Sequence, residues 1–444
     1  MLSQHADAVE ALLKREQLDG FEIMVSSSKD LSLESKEGKV DSYKVAEPFG
    51  IAIRVLKGDG LGFSFSTTLE PAALSRMVEG ALTAARMQTP DAANSFPLPQ
   101  VYPEPSGIYD AELEKVPHEE KVERALQLER LALSGDPRVK RVRKCSYSES
   151  VFDLYLRNSF GVTGAYRGSY VSCSASAVAE ADGAAQIGWD FDYATGYAGI
   201  DVEKIARGAI AKATSLLGAR SMATMRVPVI LDNYVATQLL DIVAASFLVE
   251  NVEKGKSLFK GKVGEQVFSP LVSVRDNGLL DGGMGTAPWD GEGVPQQDVE
   301  LVRAGELKGF LCDTFWGQKA GVASTGNSVR GSLRSPPRTG VHNLFVEKGK
   351  TSPEALREGM EKGVLITEVM GMHTANPISG DFSVGAAGFY VERGEIVHPV
   401  KGIAIAGNVL ELFQRVDLVA DDLRFFGGTG APALRIAELD VSGS

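Results

Sequence analysis

The sequence predicts an α+β protein, with an N-terminal mixed α/β domain over residues 1–222 and a β-rich C-terminal domain over 223–444. Three observations carry this. Stretches of helical apolar spacing interleave with stretches of strict alternation through the first half. Beyond Phe268 the chain turns to glycine and short apolar runs bounded by turn residues. The 444 residues supply core enough for two or three domains, and the pattern changes near Ala223.

Each element has a local cause. Ala8, Val9, Leu12 and Leu13 repeat at helical spacing within 4–16. Phe21 to Val25 and Ile51 to Leu56 read as strands, and Lys57-Gly58-Asp59-Gly60 as a hairpin turn, because Asp-Gly tolerates positive φ. Pro71 suits a first helical turn and opens a helix to about Met87. Prolines spread over 90–105 mark a connecting loop, and a second helix follows Pro117 to about Leu133. Strands fill 139–179, and a helix from Asp201 to Leu217 closes the first domain. Met225 to Leu231 opens the second domain as a strand. Residues 234–248 then read as one helix, apolar on most sides and therefore buried.

Composition excludes several functions. Hydrophobic residues make up 44% and the mean hydropathy is −0.04, as in ordinary globular proteins. No apolar run reaches the roughly 20 residues that a membrane span needs, and the N-terminus lacks the pattern of a signal peptide. A net charge of −12 argues against a nucleic-acid partner. The one basic run, Arg138 to Lys144, alternates as the solvated face of a strand would. Cys145, Cys173 and Cys312 are sparse and far apart, which fits a reducing cytoplasm.

Catalytic motifs are few. His5, His118, His342, His373 and His398 form no pair at metal-ligand spacing. His118-Glu119-Glu120 suits a helix N-terminus, where acidic side chains meet the helix dipole. Ser257-Leu258-Phe259-Lys260 fits the SxxK pattern, but Gly255, Gly261 and Gly264 oppose the helix that this chemistry requires. Cys312 follows an apolar run and reads as a buried thiol. Gly282-Gly283-Met284-Gly285 is followed by Pro288 instead of the helix of a dinucleotide loop.

Four longer blocks carry a resemblance. They are KEGKVDSYKVAEPFGIAIRVLKGDGLGFSFST from Lys36, WDGEGVPQQDVELVRAGELKGFL from Trp289, STGNSVRGSLRSPPRTGVHNLFVEKG from Ser324 and ISGDFSVGAAGFYVERGEIVHPVKGIAIAGN from Ile378. With KGKSLFKGKVGE at 254–265, they resemble, in order, the TldD/PmbA family of bacterial metalloproteases, also called modulators of DNA gyrase. In that family an HExxxH helix precedes the 254–265 block. Counting back, its histidines fall at Leu240 and Ala245 and its glutamate at Asp241, while the third ligand, a cysteine, falls in the Cys-free 423–430 segment. The chain therefore resembles the PmbA (TldE) branch, which lacks the zinc motif.

The resemblance implies the non-catalytic subunit of a cytoplasmic protease complex. A TldD-type HExxxH partner would hold the zinc and the water-activating glutamate, and this chain would hold no cofactor. The substrate would be an unfolded or flexible peptide, with Asp241, Glu250, His373 and Asp381 facing its cleft. Whether the chain alone forms a homodimer stays open. Two alternatives stand beside this expectation. One is a stand-alone peptidase with a metal held by His373 and carboxylates such as Asp381 or Glu250. The other is a peptide-binding or gyrase-modulating protein without hydrolytic activity.

Overall fold

The protein, seen in a computed structural model, is described over residues 2–443; Met1 and Ser444, the outer ends of the two expected domains, lie outside the described residues. The fold is α+β. The first half runs α1 (Leu2–Leu13), β1 (Gly20–Lys36), β2 (Lys39–Ala46), β3 (Phe49–Lys57), β4 (Gly60–Ser66), α2 (Pro71–Met87), α3 (His118–Ser134), β5 (Val139–Asn158), β6 (Thr163–Ala181), β7 (Ala184–Ala194) and α4 (Val202–Ser215). Its strands form one antiparallel sheet in the order β4-β3-β1-β5-β6-β7, with β2 added along the outer part of β1. Gly58 and Asp59, both at positive φ, make the β3–β4 turn.

The two-residue period of β1 divides the molecule. Phe21, Ile23 and Val25 bury against α1 and α2, and Leu31 and Leu33 belong to the core that holds α3 and α4. Glu22, Met24, Ser26, Ser28 and Asp30 point the other way, toward the second half of the chain. Pairing with β5, and then with β2, carries β1 past Val25 to where Leu31 and Leu33 are buried again. Its partner β5 and the next strand, β6, reach 20 and 19 residues.

The second half begins at β8 (Met225–Leu231), a central strand. Around it lie strands Lys362–Met370, Asp381–Glu392, Glu395–Asn408, Val416–Val419 and Leu434–Ser442. Glu395–Asn408 also pairs with Leu434–Ser442, which closes this sheet on itself. Pro228 has no N–H for a ladder, and the Leu434–Ser442 partner bulges opposite it, between Ile436 and Leu439. A second six-stranded sheet carries Val274–Asn277, Leu344–Val346, Thr429–Ala431 and Arg424–Phe426.

Helix α5 (Asn233–Ala244) packs among these strands, capped by the Asp232 carboxylate, which accepts from Val235 N at 2.8 Å. Val235, Leu239, Leu240 and Val243 are fully buried in the largest core. The single helix expected over 234–248 is broken. Ala245–Phe247 is a 3-10 turn and α6 (Val249–Glu253) follows. The carbonyls of Ala245 and Ser246 are taken by Asn251 Nδ2 at 2.7 Å and Ser257 Oγ at 2.6 Å. Side chains thus replace the next turn of helix as hydrogen-bond partners.

The two halves meet through buried charges. Arg54 on β3 lies across from Glu22 on β1 and donates Nε to Glu22 Oε1 at 3.1 Å. It also donates Nη2 to Glu22 Oε2, and Nη1 to Glu292 Oε1 at 2.6 Å. Arg330 donates Nη2 to the same Glu22 and Nε to the Gly291 carbonyl at 2.7 Å. All four side chains are at most 6% exposed. Burial disfavours the Arg54 charge, but Glu22 and Glu292 outweigh it and raise its pKa above the ordinary guanidinium value.

Two stability outcomes follow from this packing. Leu240→Asp, which buries an unpaired charge, should cost roughly 3–5 kcal/mol. A loss within about 1 kcal/mol on chemical denaturation would mean that position 240 is wet. Arg54→Met leaves two buried carboxylates facing each other, and urea unfolding should show a loss of roughly 3–5 kcal/mol. An unchanged midpoint would contradict the role given to the ion chain.

Candidate functional site

The positions that the resemblance assigns to a metal do come together. The strands Arg424–Phe426 and Thr429–Ala431, which carry most of the 423–430 segment, pack directly on α5. Asp241 lies there, and partial desolvation raises its carboxyl above the usual range, against the opposing influence of the nearby Thr429 hydroxyl. Leu240 points into the core and Ala245 sits in the 3-10 turn. Neither has a lone pair to offer, so these side chains do not match the roughly three-donor chemistry of a catalytic zinc. Among the described residues no group of three or more His, Cys, Asp or Glu side chains is arranged to hold a metal ion.

Asp241 and His373 line one open cleft of about 500 Å³, with Gln238, Ile242, Val369 and Met372. His373 lies on a short 3-10 turn after Gly371, whose left-handed φ of 86° brings the chain round. Glu250 and Asp381 are not in this cleft. Glu250 pairs with Lys254 at 2.5 Å, one turn away on α6. Asp381 accepts from Asn408 Nδ2 at 3.0 Å, and the Asn408 and Ser379 bonds hold its carboxyl below the usual range. Of the four expected cleft residues, the fold therefore brings two together and leaves two outside.

The remaining histidines are otherwise engaged. His342 is buried, with Nε2 2.7 Å from the Gly326 carbonyl and Nδ1 3.3 Å from Gln296 Nε2. The carbonyl can only accept, which assigns the proton to Nε2 and leaves Nδ1 as acceptor. His118 opens α3 and bonds the Tyr43 hydroxyl. His398 stacks on Tyr390 and His5 meets Phe49 edge-on. Cys312 is buried and its thiol pKa is raised by that burial, as its apolar flank implied. Ser257 to Lys260 form turns outside any helix.

A second cleft, of about 560 Å³, escaped the sequence reading. One wall is the outward face of β1 from Met24 to Asp30, with Ser150 of β5 and Tyr170 of β6. The other wall is Trp289, Asp290, Ser328 and Arg330 from the second half, directly beside the ion chain. Burial and the Glu292 charge push Asp290 up to about 8, against three backbone N–H groups that favour its charged form. Residues 26–30 read Ser-Ser-Ser-Lys-Asp, polar at every position, so no apolar period marked them as a strand. Trp289 and Arg330 stand in two of the blocks that carry the resemblance.

The 423–430 segment also ties the halves together. Arg424 donates Nη2 to Asp190 Oδ1 at 2.7 Å and to the Phe191 carbonyl at 2.6 Å. Phe426 packs on Phe191 and Tyr234, and Tyr234 meets Trp189 edge-on.

Comparison with known proteins agrees with this geometry. Family models described as PmbA/TldA metallopeptidase domain 1, central domain and C-terminal domain match residues 21–85, 111–217 and 224–443. The chain is 28% identical over 432 residues to the Escherichia coli O157:H7 protein called metalloprotease PmbA, covering 96% of this chain and 92% of that one. A Thermotoga maritima structure, described as a candidate modulator of a DNA gyrase, matches at 32% identity with a TM-score of 0.90 and full coverage of both chains. The structure of TldE from Thermococcus kodakarensis matches at 26% identity with a TM-score of 0.90, over 98% of this chain and 100% of that one. With its fold shared from end to end and its blocks in the same order, the chain belongs to the PmbA/TldD metallopeptidase family, in the PmbA/TldE branch.

Proposed function

We propose that this chain is the non-hydrolytic, TldE-type subunit of a cytoplasmic TldD/TldE-type protease complex acting on unfolded or flexible peptides. The TldD-type partner contributes the HExxxH helix, its zinc and the water-activating glutamate. This chain contributes enclosure and a peptide-holding surface. The observation that supports it most is the local chemistry around α5: the helix is packed into the core, Leu240 and Ala245 stand at the two histidine positions, and the 423–430 segment beside it holds no cysteine. A subunit without catalytic side chains can still matter. Positioning and water exclusion account for as much as about 7–11 kcal/mol of a barrier.

A stand-alone metal site would have to start from His373 and Asp241, since Glu250 and Asp381 lie outside that cleft. Two donors fall short of the roughly three that hold a catalytic zinc. Elemental analysis after dialysis should therefore find well below one zinc per chain; about one, retained against a mild chelator, refutes the reading and makes His373 the first ligand to mutate.

The decisive assay measures cleavage of an unfolded peptide by this chain, by a TldD homologue, and by both together. Activity should require the homologue and rise when this chain is added. Equal activity with and without this chain would refute the subunit role, and chelator-sensitive cleavage by this chain alone would overturn the non-hydrolytic reading.

A further inference from the structure

We infer that the cleft between β1 and the second half is a binding site for a short extended peptide with both ends free. Its carboxylate would meet Arg330 and Ser328, and its ammonium group would meet Asp30. The proposal rests on the preceding reading only in choosing a peptide over another zwitterion, since the site lies wholly within this chain.

The two ends of the cleft carry opposite, incompletely partnered functions. Ser328 is 1% exposed, and its hydroxyl has no hydrogen-bond partner. Arg330 uses Nε and Nη2 on Gly291 and Glu22, but its Nη1 is buried without a partner. Both residues line the cleft, with these two atoms just beneath its surface, so a ligand reaches them as the overlying side chains shift. A buried donor without a partner is costly, so an acceptor oxygen that comes within reach of these two groups is favoured. A planar carboxylate suits a guanidinium with a free N–H and a neighbouring hydroxyl.

Asp30 stands at the other end. Its Oδ1 accepts from Ser150 Oγ at 2.6 Å and its Oδ2 from Ser28 Oγ at 3.3 Å. No Lys or Arg pairs with it among the described residues. Hydroxyls orient this carboxylate without neutralising it, so an ammonium group is its natural complement.

The spacing sets the length of the ligand. The cleft wall runs from Met24 to Asp30 along one face of β1, about 20 Å at 3.3 Å per residue. A free amino acid cannot span that, whereas an extended peptide of about six residues does. Both edges of β1 are already paired, with β3 and β2 on one side and β5 on the other. Strand addition is therefore not available, and the ligand lies across the face of the sheet. Ser26 can bond its backbone, while Met24 and Trp289 give its side chains an apolar wall.

Isothermal titration of the isolated full chain tests this, using a hexapeptide of alternating alanine and leucine. The peptide is offered with free termini, N-acetylated, C-amidated, or blocked at both ends. Each single block should weaken binding about tenfold, the order of one charge-assisted contact. Asp30→Asn should bind the free and acetylated peptides alike while still rejecting the amide. Ser328→Ala should narrow the gap between acid and amide and leave the response to acetylation unchanged. Both substitutions are nearly isosteric and spare the ion chain, and an unchanged urea midpoint confirms that they fold. Equal affinity for the doubly blocked peptide, undiminished discrimination by Asp30→Asn, or no saturable binding at about millimolar peptide would each overturn the site. A chain that binds the hexapeptide but leaves a TldD homologue's activity unchanged keeps the site and refutes the subunit role. A chain that raises that activity without binding the hexapeptide does the reverse.

Discussion

The cleft above β1 depends on the chain of charges Glu292–Arg54–Glu22–Arg330. Four ionised side chains are removed from water at one seam, and none is tolerable there alone. Each requires the next, and the sequence separations are long: Glu22 and Arg54 come from the first sheet, Glu292 and Arg330 from loops of the second half. The chain of charges therefore works as a register key. It admits one placement of the second half on the β1 face, and that placement creates the cleft above Ser26 to Asp30. Arg54 is well suited to the central position, because its planar fork can serve Glu22 through two nitrogens and Glu292 through a third.

The second constraint is the helix α5. Its burial is complete enough that Leu240 is a core residue, and the core runs continuously from β8 through α5 to Phe247, Phe259, Phe268 and Phe413. A helix in this position must pack whether or not it also holds a metal, so its place in the fold can persist after its chemistry changes. The same holds for the 423–430 segment, which now grips the first sheet through Arg424 and Phe426.

The resemblance was readable because its blocks are the parts of the chain under the tightest physical demands. WDGEG supplies Trp289, Asp290 and Glu292, and GNSVRG supplies Ser328 and Arg330, all at the seam. The site residues named from the sequence fared less evenly. Asp241 and His373 share a cleft because helix α5 and the loop after Lys362–Met370 are neighbours in the second half. Glu250 is held by Lys254 on a different helix, separated from α5 by the 3-10 turn that the apolar pattern did not announce. Periodicity cannot show such a break, because Asn251 and Ser257 cause it by hydrogen bonding, not by hydropathy.

By itself the sequence determined the α+β class, the caps and turns at Gly58-Asp59, Pro71 and Asp201, the strand opening at Met225 and the family. These follow from local φ preferences, from apolar spacing and from motif order, all of which are written along the chain. Only the tertiary structure decided that polar Ser26, Ser28 and Asp30 prolong a strand, that Ser328 and Arg330 come to face them, and that Asp381 stays outside the α5 cleft. Those outcomes depend on which surfaces meet across more than 200 residues of sequence, and that is fixed by burial and charge pairing in three dimensions.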